Sequence, residues 1–320
     1  MKILNIFFLL LIIFIILILN FWQTKNSFQK IYYYDVNNKL VIEKTEALSF
    51  LNFLYFNKLG QTLRPIFIQK FLSKLIGFYQ DSFFSKYKIK YFIKKHNINM
   101  SEFIKTESEY KSFNDFFVRE LKQDIRNINK DITKVIAPAD SKLFVIDNLS
   151  RDTEFFVKNI KFNLNNFLND FELANRYQDG LMLIFRLSPQ DYHRYHFPFD
   201  CVVSKEKTIS GKLESVNSLV YKSGIQPLYT NERISIKLGS KNFGDVLFIP
   251  VGAMFVGKIV NKYFLNKEYK KGELIGYFEF GGSTIVLIFE KNKIKIKERF
   301  LINSQNGYET QVKMGDVITD

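Results

Sequence analysis

The sequence is short of the residues that build disulfides and metal sites. Cys201 is its single cysteine, so no intrachain disulfide can form and nothing indicates an oxidising compartment. The chain has three histidines and lacks zinc-finger spacing, a glycine-rich RNA motif and a basic zipper, which excludes the common nucleic-acid recognition modules. We therefore expect a protein that does not bind nucleic acid and whose working part faces the cytoplasm.

Apolar and basic residues are abundant instead. Of the 320 residues, 47% are hydrophobic and 17% are aromatic, which is enough to build the core of a globular protein. The formal net charge of +14 favours an anionic partner. Because nucleic-acid modules are absent, an anionic membrane surface is the better supported partner, although lysines spread evenly over a solvated surface would give the same charge.

A long hydrophobic run stands at the N-terminus. Residues 3–22 are apolar except for two asparagines, and about 20 helical residues span the ~30 Å hydrocarbon layer of a bilayer. We interpret residues 1–24 as a membrane anchor and expect the protein at the cell membrane. A cleaved signal peptide is the competing interpretation, but only Lys2 precedes the run and no small-x-small cleavage site follows in residues 21–27.

The segment after this run combines a hairpin with basic helices. Residues 31–44 alternate around Asn37 and Asn38, which predicts a short hairpin. In residues 46–96 apolar side chains recur at helical spacing with lysines between them, which predicts two or three amphipathic helices. Helices of this kind either lie on anionic lipid or cover a sheet, and the pattern fits both. We assign residues 25–130 to a helical, membrane-associated region.

The rest of the chain has the pattern of a β-rich core. Ser112 and Asp115 stand in a capping relation at the start of a helix predicted over residues 112–122. Short apolar runs predict strands at residues 134–136, 142–146, 181–187, 202–209, 234–237, 246–256 and 284–290. One helix, over residues 164–177, interrupts them. The expected fold class is α+β, with an N-terminal transmembrane helix and amphipathic helices followed by a β-rich catalytic core at residues 131–320.

Two of the three histidines lie in one short block. His193 and His196 belong to residues 191–198, where tyrosine and arginine accompany them. Imidazole titrates near neutral pH, so this concentration suggests acid-base catalysis. A metal ion would need further ligands, and no suitable cysteine or glutamate accompanies the pair, so we expect no metal. A structural pair, hydrogen-bonded inside the core, also fits these residues.

Two further segments carry groups that would complete such a site. Asp140 ends the proline-containing turn of residues 137–140, where a carboxylate either orients an imidazole or is an ordinary turn residue. The segment Gly281-Gly282-Ser283-Thr284, between two apolar stretches, is typical of a tight turn. A serine after flexible glycines can also attack the preceding carbonyl and leave a ketone at a new N-terminus. These residues alone leave both interpretations open.

Five motifs occur in order along the chain. They are FNDFFVRELK at residues 113–122, APAD at 137–140, DYHRYHFP at 191–198, NER at 231–233 and GGST at 281–284. Together they resemble the phosphatidylserine decarboxylase family, the membrane-bound pyruvoyl enzymes. The resemblance extends from about residue 32 to residue 315 and is closest to the type II bacterial branch, in residues 33–59 and 242–247. Five ordered motifs are far more specific than one, so a simple turn at Gly282 and Ser283 becomes the weaker interpretation.

The resemblance implies that the chain cuts itself between Gly282 and Ser283. Ser283 would attack the Gly282 carbonyl, with His196 as the base that takes its proton and Asp140 as the acid that orients His196. The resulting ester would then eliminate and break the chain. The cofactor implied for the family is a covalent pyruvoyl group derived from Ser283.

The same resemblance implies the reaction of the processed protein. Cleavage would give a β chain, residues 1–282, and an α chain, residues 283–320, that begins with the pyruvoyl group. This ketone would form a Schiff base with the amine of phosphatidylserine and stabilise the carbanion left when carbon dioxide departs. The resemblance makes His193 the better candidate for reprotonating that carbanion, with His196 as the alternative. The product would be phosphatidylethanolamine, as in phospholipid biosynthesis.

Some residues depart from the family pattern. Ser141, Asn159 and Cys201 stand where the family commonly has glycine, so the local backbone is expected to differ while the chemical groups remain. The main alternative function is that of a membrane-anchored Asp-His-Ser hydrolase that retains its serine. Arg194 and Arg233 are candidates for binding the headgroup phosphate. The expected partners are phosphatidylserine in the bilayer, the membrane surface and the paired α and β chains, and a homo-oligomer is compatible with the sequence.

Overall fold

The structure is a computed structural model of the chain. It describes residues 30–44, 47–149, 153–155, 157–255, 258–281 and 283–320. The run interpreted as a membrane anchor, residues 1–24, lies outside the described residues, and so does Gly282.

Fifteen strands lie within the described ranges. They are β1 (Tyr32–Tyr34), β2 (Leu40–Ile42), β3 (Ser141–Asp147), β4 (Thr153–Phe155), β5 (Val157–Phe162), β6 (Leu181–Leu187), β7 (Arg194–His196), β8 (Cys201–Ile209), β9 (Arg233–Ser240), β10 (Gly244–Val251), β11 (Ile259–Asn261), β12 (Glu268–Tyr269), β13 (Leu274–Phe278), β14 (Ser283–Phe289) and β15 (Glu309–Val312). Ten form one sheet in the order β12-β8-β9-β10-β14-β6-β3-β15-β1-β2. A smaller sheet has the order β11-β13-β7, and β4 pairs with β5.

The described α-helices are mostly short. They are α1 (Leu48–Phe56), α2 (Lys58–Phe67), α3 (Lys70–Asp81), α4 (Lys88–His96), α5 (Phe113–Phe117), α6 (Leu164–Leu168), α7 (Phe171–Arg176), α8 (Ser218–Tyr221), α9 (Pro227–Thr230) and α10 (Glu298–Gln305). A 3₁₀ turn, Phe83–Tyr87, joins α3 to α4. Helices α1 to α4 lie in residues 46–96, where two or three amphipathic helices were expected, so helices are found there but one more than expected.

Strand β14 runs through the middle of the large sheet, antiparallel to β10 and β6. All seven of its residues are buried. Ile285 and Leu287 pack into one core cluster, whereas Val286 and Ile288 pack into another, because successive strand residues point to opposite faces. A strand buried on both faces has a continuous apolar run, which is why the sequence predicted it well. Its first residue, Ser283, is thereby carried into the interior.

The hairpin expected in residues 31–44 is confirmed. Strands β1 and β2 pair antiparallel, with Tyr33 opposite Val41, and Asn38 adopts φ 58° in the turn. Asparagine tolerates this left-handed conformation better than most residues. Strand β1 also pairs in parallel with β15, through Tyr33 and Glu309. The hairpin is therefore an edge of the large sheet.

The expected fold class, with its N-terminal transmembrane helix, needs correction. Within the ranges that the structure describes, no helix is both long and apolar enough to cross a bilayer. Nor do helices simply precede a sheet, since β1 and β2 come before α1 and belong to the same sheet as β14. The chain is a mixed α and β protein built around a large β-sheet core.

Two predicted helices and one predicted strand differ from the structure, because each is shorter than expected or is divided in two. The helix expected over residues 112–122 ends at Phe117, because the following residues extend and bridge back to Phe103 through Leu121. The helix expected over residues 164–177 is two helices, since Asn169 has φ 48° and Asp170 caps a new helix. The strand expected at 134–136 is reduced to a single bridge between Ile136 and Val317.

Candidate active site

Ser283 lies at the start of β14, opposite Leu187 of β6. Its side chain has no exposed surface. The hydroxyl oxygen lies 3.5 Å from Nδ1 of His193. The structure therefore brings together a serine and a histidine that are far apart in sequence, and one of them is the residue at the expected cleavage point.

The hydrogen-bond partner of Nε2, the second ring nitrogen of His193, shows which tautomer of the ring faces the serine. Nε2 lies 3.0 Å from the carbonyl oxygen of Ser188. A carbonyl only accepts, so Nε2 carries the proton and Nδ1 is left with a free lone pair towards the Ser283 hydroxyl. Burial, reinforced by the positive charge of Arg119, lowers the pKa of His193 to about 3. His193 is consequently a neutral hydrogen-bond acceptor near pH 7.

The loop before His193 holds this arrangement in place. The Ser188 backbone N–H donates to Asp191 Oδ2 at 2.7 Å. Lys142 Nζ donates to the Ser188 hydroxyl at 2.6 Å, and that hydroxyl donates to Glu43 at 3.1 Å. A main-chain carbonyl thus orients His193, in the place where a carboxylate stands in a catalytic triad. The sequence analysis missed Ser188, although the turn-forming residues Ser188-Pro189 just before the histidine block were a signal for it.

His196 lies in a different environment from His193. Its Nδ1 donates to the Gly272 carbonyl at 2.9 Å, and its Nε2 accepts from the Tyr192 hydroxyl at 3.0 Å. Burial lowers its pKa to about 4. Both ring nitrogens of His196 are therefore used by Tyr192 and Gly272, and within the described ranges no hydrogen bond joins His196 to Ser283.

Asp140 makes contacts with cations and the backbone. Its carboxylate accepts hydrogen bonds from Arg126 Nη2 at 3.1 Å, Lys313 Nζ at 3.2 Å and the Met314 N–H at 2.8 Å. Within the described ranges no side-chain hydrogen bond joins Asp140 to His196 or Ser283. The turn of Asp140 does contact the histidine block, since Pro138 accepts the His196 backbone N–H. The roles assigned to Asp140 and His196 stay predictions.

The segment before Ser283 connects the two sheets. Strand β13 belongs to the smaller sheet and β14 to the larger one, and four residues separate them. The Phe278 N–H donates to the His193 carbonyl at 3.0 Å, so β13 lies against the same histidine. Gly281 has φ 136°, a backbone conformation that only glycine adopts readily. This conformation explains the need for glycine at position 281, two residues before Ser283.

A cavity of about 500 Å³ adjoins this segment. Its wall includes Phe280 and Gly281 on one side, Ser188 on another, and Lys88 and Tyr91 near the surface of α4. This volume lies within the usual range for small-molecule sites. A second, more polar cavity of about 390 Å³ lies next to Asp140. Across the described part of the chain, no three His, Cys, Asp or Glu side chains cluster as metal ligands do.

The polar triplet of residues 231–233 is structural. Asn231 bonds through its side chain to the backbone of Glu214 and to Gly252. The Arg233 guanidinium is buried and donates to the carbonyls of Phe167, Tyr229, Asn231 and Asn166. Four of the five N–H donors of Arg233 are thus taken by backbone carbonyls. Arg194 donates to the Val118 carbonyl and to Glu120.

Comparison with known proteins gives a consistent result. The family model for phosphatidylserine decarboxylase matches residues 113–320. A phosphatidylserine decarboxylase proenzyme of Fusobacterium nucleatum is 41% identical over 292 residues, which cover 91% of this chain and 97% of the relative. Proenzymes of the same name from Clostridium tetani and Clostridium kluyveri are 42% and 41% identical and cover 87% of the chain. These matches confirm the resemblance drawn from the five motifs, and the chain belongs to the phosphatidylserine decarboxylase family.

Proposed function

We propose that the chain converts Ser283 into a pyruvoyl group by cutting itself after Gly282, and that this group serves the decarboxylation. The enzyme decarboxylates phosphatidylserine, as its family membership implies. One observation carries the proposal for the cofactor: the buried Ser283 hydroxyl faces the unprotonated Nδ1 of neutral His193. A serine hydroxyl is a weak nucleophile at neutral pH unless a base takes its proton.

The residues around position 283 fit a pyruvoyl group made in place. Ser283 supplies the carbon skeleton, and Gly281, with φ 136°, lies one residue before Gly282, whose bond to Ser283 is to be broken. The side chain is shielded from bulk water, and a cavity large enough for a headgroup adjoins the same segment. A reactive ketone at this position would be protected from side reactions yet open to a substrate amine.

Self-cleavage can then begin with a proton transfer from the Ser283 hydroxyl to His193. The Ser283 hydroxyl oxygen attacks the Gly282 carbonyl carbon while its proton moves to Nδ1 of His193. The bond from Gly282 to the Ser283 nitrogen breaks, that nitrogen takes a proton, and an ester remains. Loss of the Ser283 α-proton expels the Gly282 carboxylate as the C-terminus of the 1–282 chain. Addition of water and loss of ammonia leave the pyruvoyl group at the start of the 283–320 chain.

In the processed enzyme the same residues act on the substrate. When present, the pyruvoyl group supplies an electron sink for the electron pair released as carbon dioxide leaves. His193 can hold and return a proton at Nδ1, next to residue 283, while the Ser188 carbonyl keeps its ring in place. This geometry supports His193 as the residue that moves protons in both stages.

The roles of His196 and Asp140 differ in this proposal from those implied by the family resemblance. His196 joins Tyr192 to the Gly272 carbonyl and so braces the histidine block from the far side. Asp140 accepts hydrogen bonds from Arg126, Lys313 and the Met314 backbone N–H. The turn that Asp140 ends contacts the histidine block through the Pro138 carbonyl. Both residues would support the position of His193 without touching the reacting serine.

The proposed substrate lies in a bilayer, so the cavity needs access to lipid. Helix α3, the 3₁₀ turn after it and α4 expose large apolar side chains, among them Phe78 at 80% and Phe84 at 74% exposure. Lysines lie between these rings, and Lys88 and Tyr91 also line the cavity. An apolar face with basic residues binds anionic membranes by burying rings and attracting headgroups. We assign this face to the membrane surface.

Intact mass spectrometry of the purified protein tests the proposal directly. The expected result is two chains, residues 1–282 and a 283–320 chain whose mass and reactivity with hydrazine show a terminal ketone. The variant Ser283→Ala should remain one full-length chain and release no carbon dioxide from phosphatidylserine. A folded wild type that stays intact, or is inactivated by serine-directed phosphonates, would instead favour a hydrolase that retains its serine.

A further inference from the structure

The side chain of Asn114 connects the segment before the cleavage point to the helical layer. It lies in α5, and only 7% of the residue is exposed. Its Oδ1 accepts the backbone N–H of Phe280 at 2.9 Å, and its Nδ2 donates to Asp81 Oδ1 at 2.8 Å. Both ends of one buried amide are therefore used, one on the segment and one on the last residue of α3.

The hydrogen bond between Phe280 and Asn114 can affect cleavage because Phe280 is close to the cleaved bond. Phe280 is two residues before Gly282, whose carbonyl is attacked in the proposed reaction. Between them stands Gly281, with its left-handed φ of 136°. Glycines leave a segment many alternative conformations. A fixed hydrogen bond at Phe280 removes much of that freedom, and reacting groups held in place react faster than free ones.

The rings of α5 fix the same segment and the proposed base together. The Phe280 ring packs edge-on against Phe113 and Phe117, with centroid distances of 5.4 and 5.3 Å. Phe117 also stacks on the His193 ring at 3.9 Å. One short helix thus contacts the chain on the N-terminal side of the cleaved bond and the histidine that faces Ser283.

Helix α5 is itself firmly held. The Ser112 hydroxyl accepts the Asp115 N–H at 3.1 Å, and the Phe113 N–H donates to the Ser85 hydroxyl at 2.8 Å. Just after the helix, buried Arg119 donates to the Gln190 and Asp191 carbonyls, in the loop that leads to His193. Helix α5 is therefore held by hydrogen bonds at its start and just after its end, and it contacts both the Phe280 segment and His193.

We propose that Asn114 is a positioning residue for the reaction, an inference that rests on the self-cleavage proposed above. Before cleavage, its Oδ1 fixes Phe280 and so limits the conformations of the segment that leads to Ser283. After cleavage, residues 280–282 become a free chain end. The same bond then keeps Phe280 and Gly281 in the wall of the 500 Å³ cavity, where they shape the site for the lipid headgroup.

The hydrogen-bond pattern allows a swap experiment. The variant Asn114→Leu keeps the size but loses both bonds, and should slow self-cleavage by roughly tenfold to a hundredfold, as expected for a buried hydrogen bond. Asn114→Asp keeps an acceptor for Phe280 but sets a carboxylate against Asp81, and should be slowed to a lesser extent. In Asn114→Asp with Asp81→Asn, the new carboxylate can accept from both Phe280 and the new amide, and cleavage should return to within roughly threefold of wild type.

Asn303→Leu is the matched control. Asn303 is also buried and donates to Asn38 and Thr310, outside both cavities. The Asn303→Leu variant should have a lower melting temperature, much like Asn114→Leu, but an unchanged rate of self-cleavage. In material that has matured, Asn114→Leu should raise KM for phosphatidylserine severalfold while kcat per pyruvoyl group changes little.

The measurements are the fraction cleaved with time in full-length protein and the kinetics of the matured fraction. Wild-type cleavage in Asn114→Leu, or a double variant no faster than Asn114→Asp alone, would overturn the role of Asn114. Either result would leave the pyruvoyl proposal intact, because that proposal fails only if the wild type itself does not cleave.

Discussion

The Ser283 hydroxyl lies 3.5 Å from Nδ1 of His193, and the other nitrogen of that ring is held by the Ser188 carbonyl. The ring is buried and stacked on Phe117, so it has little freedom to turn away. This relationship makes a neutral imidazole, oriented by the backbone, the group best placed to take the serine proton.

Replacing His193 should affect self-cleavage more than replacing His196. His193→Ala removes the group that faces Ser283 and should slow cleavage by about a hundredfold or more, the usual contribution of a general base. His196→Gln retains hydrogen-bonding capacity towards Tyr192 and Gly272 and should slow it by less than about tenfold. A time course of chain cleavage on denaturing gels measures both rates. The reverse order would support the triad of Asp140, His196 and Ser283.

The stability of the precursor should fall in mild acid because of the two buried histidines. Burial lowers the pKa of His193 to about 3 and that of His196 to about 4, from an ordinary value of 6.5. Protons therefore bind the unfolded chain first. The stabilisation from neutral imidazole is present above pH 6.5 and is lost as the pH falls through the window down to the folded-state values, at up to about 1.4 kcal/mol per pH unit for each histidine.

Urea unfolding of the uncleaved Ser283→Ala protein at several pH values between 7 and 4.5 measures this effect. Adding His196→Gln should make the dependence on pH shallower by about one proton. An equal slope in both proteins would show that His196 is not protonated differently on folding.

Exposed rings of the helical layer should matter for membrane binding and not for chemistry. Changing Phe78 and Phe84 to serine should weaken sedimentation with vesicles of anionic lipid by at least roughly tenfold, because two large apolar groups no longer enter the interface. Self-cleavage and turnover of short-chain phosphatidylserine in detergent should stay near wild type. Phe264→Ser is the control, since Phe264 is 71% exposed but lies between β11 and β12. Equal binding by all variants would contradict the assignment of this face.

The buried ion network in the wall of the 500 Å³ cavity should be sensitive to the loss of one charge. Glu43 accepts two hydrogen bonds from Arg186, and Lys142 lies 3.3 Å away. Burial alone would raise the pKa of Glu43, but Arg186 and Lys142 together lower it below its usual range. Glu309 also accepts hydrogen bonds from Arg186, so Glu43→Gln removes one of the carboxylates that compensate these two buried cations and should destabilise the fold by about 3–5 kcal/mol.

Chemical denaturation of the Glu43→Gln protein checks this value. Glu120→Gln serves as the control, because Glu120 pairs with Arg194 but its side chain is 56% exposed. The control should cost less than about 1 kcal/mol, as exposed ion pairs usually do. Similar losses in both variants would contradict a special role for the buried network.

Features of the fold with a local cause were predictable. The buried strand β6 follows its apolar run at residues 181–187, and the first hairpin follows its asparagine turn. Helix lengths were less predictable, since α5 ends where the chain begins to pair with residues that are distant in sequence. The order of strands in the large sheet was not predictable, because it depends on contacts between the hairpin near residue 33 and the strand near residue 309.

The candidate site also combines features that the sequence predicts with features that only folding decides. Residue types and motif order were enough to identify the family and to single out Ser283, His193, His196 and Asp140, because these groups carry chemistry that few other side chains offer. Which of the two histidines faces Ser283 depended on folding. Ser283 and His193 are 90 residues apart and meet across packed strands, while the His196 ring is hydrogen-bonded to Tyr192 and Gly272. No local pattern encodes that choice, since it follows from the register of two sheets joined at the cleavage segment.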